Sequence, residues 1–448
     1  MSRRIQKRKV IIVGGGLAGL SAAYELAKLA EFDIHLIEKD SHLGGRVSGC
    51  DINGCSVDTG GFIIYPWYKR YRELIEALGL GADLVEIPPV ADYYVTDEHS
   101  YDKHYTGFKL AFKDMVEIFI DVFPNQLIDT DPTEPRLDAY DHLSIKDYLD
   151  SLNINPEKRD FYLGVFDTYL QGYCYGPVTQ YKMAFMAATL FQNILHGDMH
   201  SASYLRNGSK VFIDAMQAAL QRKGVKIHFN CQLESINKNQ MVTSLGTMTA
   251  DDFIFCHTPA AVSYSKFITA TILFSGKVII DGNSEWGACF YKDDPGQPYS
   301  ILSIVNLEKL YTPKAAQHLN LNIKVNGAEQ APLSNADLLE IIRTELHKRF
   351  KDISVVGLVN REEWGKAMPI ATEEFVTQTK NIQGQDHLYY AGDFMGCPSM
   401  ETALMSGKRA AEQLIYDIAH VYRDSESQVQ VGEGLDLLPS TVPHTGNQ

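Results

Sequence analysis

Val10-Ile-Ile-Val-Gly-Gly-Gly-Leu-Ala-Gly19 reads as a short buried strand that runs into a glycine-rich turn and then a helix. The spacing is that of a dinucleotide cradle. Gly14 permits the tight turn, Gly16 lets the backbone approach a pyrophosphate with no Cβ in the way, and Gly19 lets the helix pack closely on the sheet. Leu17 and Ala18 open that helix, whose free N–H groups and positive end would hold the phosphates. Working outward, Ser21 to Ala30 places Ala22, Ala23, Leu26, Ala27 and Leu29 at helical spacing. Asp33-Ile-His-Leu-Ile-Glu38 then reads as a second strand, closing on an acidic residue where a ribose 2′-OH would be met. Agreement of strand, turn, helix and carboxylate separates this stretch from glycines that merely make a turn.

The chain has 448 residues with 45% hydrophobic content, enough for two or three domains. A formal charge of −15 argues against a general affinity for nucleic acid. Five of the first ten residues are Arg or Lys, but the apolar run Val10 to Val13 is too short for a signal-peptide core or a membrane span. Seven cysteines, odd in number and scattered, suit a reducing cytoplasm, which is the expected location. Val47 to Asp58 alternates around Asn53-Gly54, so Cys50 and Cys55 fall on a hairpin rather than forming a redox pair on a helix. No metal site is expected.

Downstream come Leu43-Gly-Gly-Arg46 and Asp58-Thr-Gly-Gly61, and near the C-terminus His387-Leu-Tyr-Tyr-Ala-Gly-Asp393 with Pro398-Ser-Met-Glu-Thr-Ala403. In this order the motifs resemble the flavin-containing amine oxidase and phytoene desaturase superfamily. Tyr204 to Asp214, Val225 to Phe229, Leu233 to Ile236 and Asp252 to Pro259 are similar to its middle segments. The resemblance implies an α/β fold, a Rossmann-like FAD-binding domain interleaved with a discontinuous α+β substrate domain. The expected FAD-binding parts are residues 1–84, 203–260 and 362–423. The substrate parts are 85–202, mostly helical, and 261–361, mixed sheet and helix, followed by a disordered tail over 424–448.

The implied cofactor is non-covalent FAD. Gly14, Gly16, Leu17, Ala18 and Gly19 would cradle the pyrophosphate, and Glu38 with Lys39 would lie at the adenosine ribose. Gly44, Gly45 and Arg46 would lie beside the phosphates with Gly60 and Gly61, and Leu233 would offer its backbone to the adenine. Gly392 and Asp393 would meet the ribityl chain or pyrophosphate. Met400, Thr402 and Ala403 would start a helix whose N–H groups face the flavin N1 and C2 carbonyl.

The substrate is marked by departures from the amine oxidases. Ser399 stands where many of them carry an aromatic cage residue, and no cysteine lies between Trp364 and Tyr390 to tether a flavin. Lys277, the one candidate for their active-site lysine, reads more simply as an exposed residue on an edge strand. Trp364-Gly-Lys-Ala-Met-Pro369 resembles an element of desaturase-like members, and aromatics including Phe161, Tyr162, Phe166, Tyr173 and Tyr181 crowd the first insertion. Trp364, Tyr173 and Ser399 are therefore the expected substrate-lining residues, and no side chain is assigned as catalytic base. Phe108 to Phe123 could line a tunnel or touch a membrane surface. The expected activity is hydride removal from a C–H bond of a small apolar or aromatic molecule. The alternatives are an amine or amino-acid oxidase releasing hydrogen peroxide, a flavin-dependent isomerase, and a flavoprotein that no longer turns over. Oligomeric state is left open.

Overall fold

The computed structural model describes residues 7–87, 91–95, 101–105, 120–122, 131–134, 143–172, 176–182, 202–279, 286–291, 299–311, 315–325, 333–370 and 379–420. The chain opens with β1 (Arg8–Val13), α1 (Leu17–Leu26), β2 (Phe32–Ile37), the hairpin β3 (Gly49–Ile52) and β4 (Cys55–Asp58), α2 (Lys69–Ala77) and β5 (Leu84–Glu86). The first insertion carries β6 (Ala91–Val95), β7 (Tyr101–Tyr105), α3 (Ile145–Ser151) and α4 (Pro156–Gly172). A return segment follows with β8 (Ser203–Leu205), α5 (Lys210–Arg222), β9 (Lys226–His228), β10 (Leu233–Asn237), β11 (Gln240–Thr243), β12 (Gly246–Thr249) and β13 (Asp252–Phe255). Next come β14 (Ser263–Tyr264), β15 (Phe267–Gly276), β16 (Gly287–Tyr291), β17 (Tyr299–Asn306), α6 (Leu307–Leu310), β18 (His318–Val325), α7 (Asn335–Arg349) and β19 (Ile353–Trp364). The chain closes with β20 (Pro369–Ile370), β21 (Leu388–Tyr390) and α8 (Met400–His420).

Five strands from distant parts of the chain form one parallel sheet, in the order β21-β13-β1-β2-β9. An all-parallel sheet is covered on both faces, which is why Val10, Ile11 and Ile12 are apolar without alternation and fully buried. Small residues let α1 and α8 lie against each other. A Cβ on Gly407 would overlap the Ala18 carbonyl oxygen, and one on Gly19 would overlap that of Gly14.

The second layer is a seven-stranded sheet, β19-β15-β18-β17-β16-β6-β7. Ile268, Ala270 and Ile272 point from β15 to one face, where Leu338, Ile342 and Leu346 of α7 cover them. The opposite face is polar. Thr269 and Thr271 hydrogen-bond Asn322 and Asn320 across strands at 3.3 and 3.4 Å, and Asn322 donates to Ser303 at 2.9 Å.

Local expectations hold where a side chain caps or a turn dictates. Ser144 caps α3 by accepting the Asp147 N–H at 3.1 Å. Asn53 and Gly54 both take positive φ, closing the hairpin that carries Cys50 and Cys55 on different strands as free thiols. The first insertion, expected to be mostly helical, also carries strands, and β6 runs parallel to β16 and extends the large sheet. One expectation needs correction. The expected strand Ile268–Phe274 lies within β15, but residues 277–279 form no strand: β15 ends at Gly276, at φ +100, and Lys277 lies beyond it rather than on an edge strand. The C-terminal tail, Tyr173 and nearly all of Phe108 to Phe123 lie outside the described residues.

The two layers are fastened through Asp58, at the end of β4. Its carboxylate accepts from Tyr311 Oη at 2.7 Å and from the Ser209 N–H at 2.8 Å, and its carbonyl accepts from Asn320 Nδ2 at 3.1 Å. Burial pushes this carboxyl up to about 6 against those hydrogen bonds. Glu401 plays a similar part on the other side. It accepts the N–H groups of Arg70 and Tyr71 at 2.6 and 2.9 Å, holding the start of α2, and burial pushes it up to about 7.

Two outcomes are expected. Gly407→Ala should destabilise the protein by about 3 kcal/mol in urea unfolding, because the methyl meets backbone that cannot move aside. Glu401 holds its proton more tightly when folded, so its contribution is full below the ordinary value of 4.5 and is lost as pH rises through about 7. Between about pH 5 and pH 8, Glu401→Gln should therefore lose less stability than the parent, by about 3 kcal/mol. Equal slopes in the two proteins would show that Glu401 ionises normally.

Candidate active site

The order of the parallel sheet reverses at β1, with β2 and β9 on one side and β13 and β21 on the other. The crevice at the carboxyl ends of the strands there is where such a sheet binds its ligand. Four chain segments meet in it: the glycine turn after β1, Glu38 after β2, Cys256-His257 after β13 and Asp393 after β21.

Gly14 turns at φ +105, and a Cβ there would come within 3.0 Å of the Cys256 carbonyl oxygen. Gly16 begins α1 with no side-chain cap, and α1 has no acidic residue in its first turn. A Cβ on Gly16 would find no protein atom within 4 Å. The turn thus faces space the protein does not fill, with the leading N–H groups of a buried helix, Leu17 to Gly19, unused by any side chain. These features fit the diphosphate of a dinucleotide. Gly44 supports the turn from behind, bridging Gly16 and donating its N–H to the Gly15 carbonyl at 3.0 Å, and a Cβ on Gly45 would lie 3.4 Å from Gly16 Cα.

Glu38 is buried and accepts the N–H groups of Gly15 at 2.7 Å and Asp40 at 2.9 Å, so it also fixes the turn. Lys39 is exposed and pairs with Asp40 at 3.2 Å. Leu233 opens β10 nearby, where the Cys231 N–H reaches the Glu38 carbonyl at 2.8 Å.

Arg46 and Asp393 form a two-pronged ion pair at 2.6 and 2.7 Å, and Arg46 also donates to the Ala367 carbonyl at 2.8 Å. Gly61 donates its N–H to the Arg46 carbonyl at 3.0 Å and lies against the Met400 side chain, while Gly60 is too close to the Arg46 carbonyl for any side chain. The Gly392 N–H donates to Ser406 Oγ at 2.9 Å, tying β21 to α8.

Ser399 is buried and caps α8, its Oγ accepting the Thr402 N–H at 3.0 Å. Thr402 Oγ1 in turn donates to the Cys397 carbonyl at 2.5 Å, and the Ala403 N–H reaches the Ser399 carbonyl at 3.1 Å. The cap uses the N–H groups of Thr402 and Ala403, which leaves Met400 as the expected flavin-facing residue whose N–H has no acceptor within a helix. Trp364 ends β19 half-buried, its indole N–H donating to Thr269 Oγ1 at 2.9 Å on the polar face of the large sheet. Tyr162 and Phe166 are buried core residues beside Tyr148 and Val122. Tyr181 reaches the loop before α8, with its hydroxyl 3.9 Å from Cys397 Sγ.

Two residues absent from the sequence-based set lie in the same crevice. His257 and Tyr264 are half-buried, and their buried polar side-chain atoms find no partner among the described residues. The sequence signal for His257 is its place in the family-like segment Asp252 to Pro259, just past a buried strand that pairs with β1. Among the described residues no helix is long and apolar enough to cross a membrane.

Comparison with known proteins fits this crevice. The family model described as flavin containing amine oxidoreductase matches residues 17–256. The carotenoid phi-ring synthase of Chlorobaculum tepidum is 29% identical over 149 residues, 32% of this chain and 20% of that protein. The polyenoic fatty acid isomerase of Ptilota filicina is 20% identical over 256 residues, 51% of this chain and 50% of that protein. The chain thus spans half or less of the length of these curated relatives. The crystal structure of the CLA-producing fatty acid isomerase from P. acnes superposes with a TM-score of 0.71 at 13% identity, covering 91% of this chain and 99% of that one. With its parallel sheet, glycine cradle and paired Arg46 and Asp393, the chain belongs to the flavin containing amine oxidoreductase family.

Proposed function

We propose that the protein holds FAD without a covalent tether and takes a hydride from a C–H bond of an apolar, aromatic or polyunsaturated substrate, leaving a new double bond. The observation that carries this reading is Ser399. At the position of an amine-caging aromatic the chain has a buried hydroxyl committed to capping α8, so that residue offers no wall to align an amine nitrogen. The curated relatives named above act, by their names, on carotenoids and polyenoic fatty acids, which supports an unsaturated hydrocarbon as substrate.

Bound FAD supplies the two-electron acceptor. The chain's own residues bind and orient. The α1 N-terminus and the Gly14 to Gly16 turn take the diphosphate, and Arg46, held by Asp393, brings a fixed positive charge beside it. The α8 N-terminus, led by Met400, favours negative charge where it points, which eases hydride acceptance. Trp364, fixed by Thr269, and the layer above exclude water. The hydride leaves with both electrons of its C–H bond, and the new double bond forms as the adjacent carbon releases a proton, which passes to solvent because no side chain is assigned as its acceptor. Scattered cysteines and the acidic surface support a cytoplasmic protein with a small-molecule substrate and no nucleic-acid partner. Contact with a membrane surface would serve delivery of a lipophilic substrate.

A second reading is a redox-neutral isomerase, in which the hydride returns to a different carbon. The name of the Ptilota filicina relative favours it.

The purified protein should be yellow, with bands near about 375 and 450 nm, and acid should release the chromophore as FAD. Gly16→Val should fold with near-normal unfolding behaviour, since a Cβ there meets no protein atom within 4 Å, yet remain colourless. A fully yellow Gly16→Val protein would misplace the cofactor. Mixed anaerobically with polyenes, the parent should bleach. Bleaching by amines alone would make it an amine oxidase, and a rearranged polyene with the flavin left oxidised would make it an isomerase.

A further inference from the structure

His257 is anomalous for a half-buried side chain. It lies two residues past β13, and both of its ring nitrogens are buried with no hydrogen-bond partner among the described residues. Burial, aided by the charge of Lys366, drives its pKa down to about 4, so the ring is neutral and carries one donor and one acceptor. Leaving both unpaired costs stability without return from the protein's own contacts.

Its surroundings indicate what would repay that cost. The ring meets the edge of Phe255, 5.7 Å between centroids, at the carboxyl end of β13. A Cβ on Gly14 would come within 3.3 Å of the His257 backbone nitrogen, so the histidine borders the glycine turn itself. Tyr264 adds a second buried and unpartnered oxygen, with Arg46 and Lys366 over its ring at 5.9 and 5.6 Å. Orphaned polar atoms gathered where the sheet order reverses, beside Lys366 and an Arg46 already paired with Asp393, are groups kept for a polar ligand.

We propose that His257 is a further cofactor-binding residue, its ring hydrogen-bonding the diphosphate and ribose half of FAD beside Gly14. The assignment rests on the FAD reading above. It places the contact on the adenosine side, because His257 borders the α1 turn, whereas the flavin side is the business of α8.

Calorimetric titration of flavin-free protein with FAD, and separately with ADP as a probe of that half alone, tests it. His257→Leu should weaken both ligands by the same factor, about tenfold. Its ligand-free melting temperature should hold or rise, since an unpaired polar group has gone; a packing role would lower melting and spare affinity. His257→Gln, which keeps a donor and an acceptor, should recover most of the affinity and serves in its place should the Leu variant not fold. Unchanged binding of both ligands would overturn the assignment while leaving the FAD reading intact. Loss of FAD affinity with ADP unaffected would overturn its placement. A parent protein that binds neither ligand would overturn the cofactor reading and the assignment together.

Discussion

The ion pair between Arg46 and Asp393 joins positions 347 residues apart and fixes the parts around it. Its guanidinium also reaches the Ala367 carbonyl, so a single planar group holds the loop after β2, the segment after β19 and the turn after β21. Such a fork tolerates little angular error, which makes it a geometric standard for the crevice as well as a source of charge. Asp393 is nearly enclosed while Arg46 is partly accessible, so the positive member is the one left able to meet a ligand. Removing Arg46 would strand a nearly enclosed carboxylate, a cost of about 3 kcal/mol, whereas an Arg46 left alone could turn to water.

The large sheet depends on a comparable fastening. Tyr311 and Asn320 come from the second insertion, and both end on Asp58 of the nucleotide-binding part. Thr59 and Ser48 reach Glu362 of β19 from the same side. The hairpin of β3 and β4 is therefore a bracket between layers, which explains a short two-stranded element standing apart from both main sheets. Polar rather than apolar contacts at this seam fix one orientation of the layers, since a slip would leave buried groups unsatisfied.

What the sequence revealed follows the range of the interactions concerned. The β1-α1-β2 unit, the Asn53-Gly54 turn and the Ser144 cap depend on neighbours within a few positions, so composition and spacing suffice to read them. β6 was illegible because its stabilising partner is β16, nearly two hundred residues away, and no local periodicity announces a parallel pairing. Ser399 was legible as a departure from the amine oxidases but not as the cap of α8, a role fixed only when the Thr402 N–H swings under it. His257 sits within the family-like segment Asp252 to Pro259, but nothing in that segment singles out its side chain. Its significance is an unmet hydrogen-bonding demand, and that is a property of surroundings rather than of sequence.

The mixed origin of the parallel sheet bears on how the protein is made. Strand β21 pairs with β13, and β13 with β1, so the edge that carries Asp393 is added only after some 390 residues have been synthesised. Until then the outer edge of β13 is unpaired, and the two insertions must be held as long closed loops, at an entropic cost that grows slowly with length. High separation of contacting residues slows folding and prolongs the life of unpaired strands. A dinucleotide that gathers four of these segments would serve the nascent chain as a template, drawing the last strand home and shortening the interval in which the young sheet could pair with a neighbour.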